Sequence, residues 1–121
     1  WSIARLEALT AGFNLAQDDI SQRKAYEPAP PSNLLKVAGI DLIASGDIDP
    51  EEKLPFAEYE TPESYRKVVV NLSGVLVGFT NLGTTKGNKE LGLALGKKTI
   101  PQDILEDLKR PDFDFKRLES L

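Results

Sequence analysis

Apolar residues recur at helical spacing over the first part of the chain. Ile3, Leu6, Leu9 and Phe13 fall three or four positions apart, which is the spacing of one face of an α-helix. Polar residues and three prolines follow in DDISQRKAYEPAPPS. Proline removes a backbone donor and stiffens an extended chain. We therefore predict a helix over residues 1–17 and a Pro-rich linker over residues 18–32.

Alternation of apolar and polar residues replaces the helical spacing after the linker. LLKVAGIDLIASGD predicts one strand between residues 34 and 47, interrupted by a bulge or bend at Gly39. Runs at 56–60, 65–72 and 75–79 are rich in β-branched and aromatic residues, and turn residues separate them. These runs predict a three-stranded antiparallel meander. Its apolar face must be covered by the 34–47 segment or by a helix.

The last third of the chain changes back to a helical pattern. KGNKELGLALGKK, residues 86–98, predicts a weak helix, because each internal glycine costs about 1 kcal/mol relative to alanine. Residues 101–110 predict a better one, with Pro101 at its first position. Four apolar residues are expected to anchor the tail: Phe113, Phe115, Leu118 and Leu121. Residues 33–121 are thus expected to form an α+β domain, a small antiparallel sheet of three to four strands with C-terminal helices.

The composition excludes several classes of chemistry. The 121 residues include no Met, Cys or His, so the commonest general base, thiol catalysis and cysteine-ligated metals are excluded here. The absence of Met favours a piece of a larger protein. The net charge of −4 argues against a nucleic-acid partner, and no apolar run approaches the ~20 residues that span a membrane. The lack of Cys fits a reducing, cytoplasmic location.

Three motifs have a chemical and a structural interpretation, and the structural one is favoured in each case. GTTKGNKE, residues 83–90, lacks the glycine spacing and the Lys-Ser/Thr pair of a phosphate-binding loop, which leaves a strand-to-helix connection. The acids between residues 47 and 60 lack the spacing of a calcium loop and predict a solvated acidic face. Tyr59, Tyr65 and Phe79 are expected in a core. We therefore predict no catalytic residue and no metal ligand.

Three stretches, in this order, resemble one enzyme family. WSIARLEALTAGFNLA resembles the helix that ends the FAD domain in the pyridine nucleotide-disulfide oxidoreductase superfamily. PPSNLLKVAGIDLIASGDI and YRKVVVNLSGVLVGFTNLGTT resemble the C-terminal domain of rubredoxin reductases and of NADH-dependent nitrite reductase large subunits. The resemblance covers most of residues 1–98. It departs from the family at Glu7-Ala8, where a Gln-Gly pair is usual.

The resemblance implies a flavoprotein that passes electrons from NAD(P)H through FAD to an acceptor that the sequence does not name. Residues 1–17 would be the terminal helix of an upstream FAD domain, and the upstream FAD and NAD domains would be the partners of this segment. The start of that helix faces the flavin ring in the family, which implies cofactor-binding roles for Trp1 and Ser2, with Ile3 a weaker candidate. This segment lacks a dinucleotide fingerprint, so we expect it to hold neither FAD nor NAD(P)H alone.

A second hypothesis belongs to a different class. The chain would be a non-enzymatic interaction module that forms a homodimer through its sheet edge or its first helix. An apolar helix with no obvious place in so small a domain motivates it, and the two hypotheses are compatible.

Overall fold

The computed structural model describes residues 2–28 and 30–121, and the chain forms two units, Trp1–Pro31 and Ser32–Leu121. The first unit contains helix α1 (Ser2–Leu15) and a short 3₁₀ helix (Ile20–Gln22). A helix is therefore present where the sequence predicts one. The side chain of Asp19 caps the 3₁₀ helix by accepting a hydrogen bond of 2.8 Å from the backbone N–H of Ser21. Hydrogen bonding from the backbone and the side chain of Ser21 lowers the pKa of Asp19.

The second unit is built on one antiparallel sheet with helices after it, which confirms the α+β class. The strands are β1 (Ser32–Val37), β2 (Ile40–Gly46), β3 (Phe56–Glu60), β4 (Tyr65–Val70) and β5 (Leu76–Leu82). Their order in the sheet is β1-β2-β5-β4-β3. The predicted meander is therefore present as β3-β4-β5, and β2 extends it by pairing with β5.

The sheet has five strands, whereas the sequence predicted three to four. The additional strand arises at the position read as a bulge. Ala38 and Gly39 have φ angles of 51° and 83°, so both lie in the left-handed region and form the two-residue turn that joins hairpin strands. The 34–47 segment is consequently two paired strands, with Val37 opposite Ile40.

The helices cover one face of the sheet and are shorter than predicted. They are α2 (Asn88–Ala94), α3 (Gln102–Asp107) and a 3₁₀ helix (Phe115–Leu118). Helix α2 ends early because Gly96 has a φ of 72° and donates its N–H to the carbonyl of Leu76. Pro101 precedes α3 as its N-cap instead of occupying its first position.

The core lies between the sheet and these helices. From β4 and β5 it takes Val68, Val70, Leu76 and Phe79. The helical part supplies buried residues from each segment: Leu91, Ala94, Ile104, Leu105, Leu108, Phe113, Phe115 and Leu118. Three of the four predicted tail anchors are thus buried, while Leu121 is 42% exposed.

Candidate functional site

The start of helix α1 is the position that the sequence analysis assigned to the cofactor. Trp1 lies outside the described residues, and Ser2 is the first residue of α1. The first turn carries Arg5 and no acidic residue. The free backbone amides at a helix N-terminus form the positive end of the helix dipole. Because the first turn of α1 carries no carboxylate, this end of the helix fits an electron-rich group.

One side of α1 is apolar and open. Leu6, Leu9 and Phe13 lie at positions that share a helix face, and they are 39%, 56% and 39% exposed. They line a groove of about 670 Å³ together with the extended segment from Lys24 to Glu27. A helix of a soluble domain normally buries such a stripe, so this face has the composition of a surface that packs against another element.

The segment after α1 returns alongside the helix and is held there by one side chain. The Oδ1 atom of Asn14 accepts a 2.8 Å hydrogen bond from the backbone N–H of Lys24. The Nδ2 atom of Asn14 donates a 2.9 Å hydrogen bond to the Lys24 carbonyl. The Lys24 ammonium also lies 4.3 Å from the centre of the Phe13 ring. Part of the predicted linker therefore forms one wall of the apolar groove.

A row of apolar side chains crosses the sheet on the face away from the helices. The strand register aligns Leu35 with Leu42, Leu42 with Leu82, and Leu82 with Tyr65. Directly opposed residues of an antiparallel sheet share a face, so these four residues form one line across β1, β2, β5 and β4. Leu35 is 51% exposed and Leu82 is 39% exposed. This line is called the apolar row below.

Tyr65 ends the apolar row with a polar contact. Its hydroxyl donates a 2.6 Å hydrogen bond to Oε1 of Glu58. The pKa of Tyr65 is raised to about 12, chiefly by the partial burial of the hydroxyl. The hydrogen bond to Glu58 and the negative charge of Glu58 raise it further. Tyr65 and Tyr59 are half-buried, so of the three aromatic residues expected in a core only Phe79 is fully enclosed.

Arg66 is a buried cation that the sequence analysis missed. It is 4% exposed, and its Nη2 donates hydrogen bonds of 2.6 and 2.9 Å to the carbonyls of Leu108 and Arg110. The guanidinium also lies 5.1 Å from the Tyr59 ring centre and 4.9 Å from that of Phe115. Burial lowers its pKa. Its partners are carbonyls and rings of the fold, so Arg66 joins the sheet to the C-terminal helices.

Asn81 lies beside this cation and is also buried. The two residues are opposed in the register of β4 and β5, and Asn81 is 0% exposed. Its Nδ2 donates a 2.5 Å hydrogen bond to Oδ1 of Asn88, the first residue of α2. Asn81 therefore joins β5 to the start of α2, as Arg66 joins β4 to the segment after α3.

The segment at residues 83–90, which was compared with a phosphate-binding loop, is a strand-to-helix connection. It leads from β5 to α2 and turns at Gly83 and Gly87, whose φ angles are 74° and 84°. A Cβ at Gly87 would lie 2.3 Å from the ring of Phe115. The loop is therefore packed from behind by the tail, and its glycines meet conformational and steric demands of the fold.

The acidic residues are dispersed. Asp49 lies 3.8 Å from the Lys67 ammonium, and that ammonium lies 5.4 Å from the centre of the Phe56 ring. Within residues 2–28 and 30–121, no group of three or more potential ligands is placed to hold a metal ion. Over the same part of the chain, every helix falls short of the length and apolar character needed to cross a membrane.

Comparison with solved structures supports the fold. The chain aligns with a structure titled "Crystal structure of Fdr9" at a TM-score of 0.67 and 20% sequence identity. The alignment covers 93% of this chain and 28% of that one, so the chain spans little more than a quarter of the length of the protein it matches. At this identity the likeness shows a shared fold.

Comparison with family models gives a more specific result. None of the curated proteins matches the chain. The model described as "Rubredoxin NAD+ reductase C-terminal domain" matches residues 31–99, which is more than half of the chain and includes all five strands and α2. The chain belongs to the family of rubredoxin NAD+ reductase C-terminal domains.

Proposed function

We propose that this chain is the C-terminal part of an FAD-dependent NAD(P)H oxidoreductase of the rubredoxin reductase or nitrite reductase type. The family match over residues 31–99 is the observation that carries the proposal. FAD in such an enzyme accepts hydride from NAD(P)H and passes electrons onward. Residues 33–121 support the flavin site by packing against the upstream domains, and residues 18–32 connect them to α1.

Helix α1 is proposed to complete the upstream flavin domain. Its apolar face, formed by Leu6, Leu9 and Phe13, is exposed and therefore available to a partner element. Packing this face against another domain would remove apolar surface from water at about 25 cal/mol per Å². The exposure supports the interpretation of residues 1–17 as a helix whose partner surface lies in the FAD domain.

The N-terminus of α1 is proposed to face the pyrimidine edge of the flavin, through Trp1 and Ser2. Two-electron reduction places negative charge on that side of the ring, and backbone amides aimed at developing charge stabilise it. The first turn supports this role, because it contains Arg5 and no acid. This chain contributes a positive electrostatic field, and hydride transfer takes place elsewhere in the parent enzyme.

The first experiment examines the full gene product that contains this chain. We expect it to purify with FAD and to oxidise NADH or NADPH with a dye acceptor, and rubredoxin, which the family description names, is the first protein acceptor to test. The 121-residue chain alone should do neither. A full gene product that neither contains nor binds FAD would overturn the proposal.

A pair of variants tests the role of α1 in the same gene product. Leu9→Gln changes the open apolar face, whereas Glu7→Gln changes the opposite side of the helix and introduces the same residue. We expect Leu9→Gln to lower the FAD content of the purified enzyme and Glu7→Gln to leave it unchanged. Equal FAD content in the two variants would show that this helix face does not contact the flavin domain.

A further inference from the structure

Strand β1 is an edge of the sheet that lacks the usual protection against pairing. Natural edge strands are shielded by proline, bulges or several charges. β1 pairs with β2 through six consecutive residues without a shift of register, and it contains no proline and a single charge, Lys36. That ammonium already lies 3.7 Å from the Asp41 carboxylate. Leu34 and Leu35 are 71% and 51% exposed.

The hydrogen bonds around β2 determine which backbone groups of β1 are free to pair. Gly83 donates its N–H to the carbonyl of Asp41, and Asp47 donates its N–H to the carbonyl of Val77. The odd-numbered residues of β2 therefore direct their backbone groups toward β5, and its even-numbered residues direct theirs toward β1. These even residues are opposed to 33, 35 and 37. The backbone groups of Leu34 and Lys36 consequently point away from the sheet.

We propose that two copies of this chain associate by antiparallel pairing of their β1 strands, in the register that places the two Leu35 residues opposite each other. Leu34 and Lys36 of each copy then exchange backbone hydrogen bonds with Lys36 and Leu34 of the other. The two Leu35 residues then form the central pair, and this pair exchanges no backbone hydrogen bonds. In such a pair the two side chains approach most closely.

This register is favoured over its neighbours by the side chains that it opposes. It joins the apolar rows of the two copies into one line across eight strands, because Leu35 ends the row at the sheet edge. Pairing centred on Leu34 would oppose Asn33 to Leu35 and interrupt that line. Pairing centred on Lys36 would bring two like charges together, which destabilises a cross-strand pair.

Single-cysteine variants test the register, because the natural chain contains no Cys. Leu35→Cys is expected to form a disulfide-linked dimer under mild oxidation roughly a hundredfold faster than Leu72→Cys, since pairing holds the two thiols at millimolar effective concentration. Leu72 is the control because it is 82% exposed and lies outside β1. Crosslinking of Leu34→Cys faster than Leu35→Cys would overturn the proposed register.

A proline variant tests the pairing itself. The N–H of Lys36 points away from β2, so Lys36→Pro blocks strand addition while sparing the hairpin bonds. Sedimentation at micromolar concentration should show a dimer for the natural chain and for Lys36→Ala, and a monomer with unchanged circular dichroism for Lys36→Pro. A monomeric natural chain would overturn the proposal. The variants change β1 and leave residues 1–17 unaltered, so the outcome is independent of the flavin assignment.

Discussion

Substitution of Leu118 tests whether the tail completes the core of the β-sheet domain. Leu118 is 1% exposed, and the Lys98 ammonium donates hydrogen bonds to the carbonyls of Leu118 and Glu119 at 3.0 and 2.8 Å. These bonds hold the backbone in place, so the cavity left by Leu118→Ala cannot collapse easily. We expect the free energy of unfolding to fall by about 3 kcal/mol, within the range for buried leucines.

Urea unfolding followed by circular dichroism measures this loss. With a denaturant slope of about 1.5 kcal/mol per molar, the midpoint should fall by about 2 M. Leu72→Ala is the matched control, because the same atoms are removed from a leucine that is 82% exposed, and its effect should stay within about 0.5 kcal/mol. If the two variants unfold at the same urea concentration, the tail does not belong to the cooperative core.

Three further predictions concern single positions in the same domain. Gly87→Ala should destabilise by more than about 1 kcal/mol, because φ is 84° and the new methyl would overlap an aromatic ring, whereas Gly92→Ala, in an open helical position, should stabilise by about 1 kcal/mol in the same urea assay. Arg66→Met should lower the free energy of unfolding by about 3 kcal/mol, because it leaves two carbonyls without their charged donor; a neutral result would contradict the bridging role. Ultraviolet titration should show Tyr65 ionising at about pH 12. The folded protein thus retains that proton above the unfolded value near 10, and the associated stability is lost as pH rises from about 10 to 12. Glu58→Gln should lower the pKa of Tyr65 in part, since burial, the larger cause, remains; an unchanged pKa would refute the contribution of Glu58.

Local pattern was sufficient for most of the sheet and for the position of α1. The pattern of β-branched and aromatic runs bounded by turn residues identified β3, β4 and β5. It did not separate β1 from β2, since the turn between them uses Ala38, a residue that rarely adopts a positive φ. A two-residue hairpin is usually recognised from Asn-Gly or Asp-Gly. Ala-Gly carries a weaker signal, so the fifth strand was missed.

The burial of Arg66 was harder to predict. In YRKVVV, alternation places Arg66 on the same face as Val68 and Val70, and this was the available signal that its side chain enters the core. The guanidinium is stabilised there by the backbone carbonyls of Leu108 and Arg110, which lie more than forty positions away in the sequence. Sequence spacing alone does not indicate that a tail returns to cover a particular strand. The cofactor-binding role of Ser2 stays a prediction based on the family resemblance.

The physical boundary of the domain lies beyond the boundary of the family match. The match ends at residue 99, yet Arg66, on a central strand, donates both of its described hydrogen bonds to carbonyls after that residue and lies against the ring of Phe115. A domain cut at residue 99 would lose these acceptors together with the core residues Leu105, Leu108 and Phe115, and the burial of each such side chain contributes about 1.5–3 kcal/mol. Because a domain of this size has a total stability of only about 5–15 kcal/mol, we expect the sheet to depend on residues 100–121 for its stability.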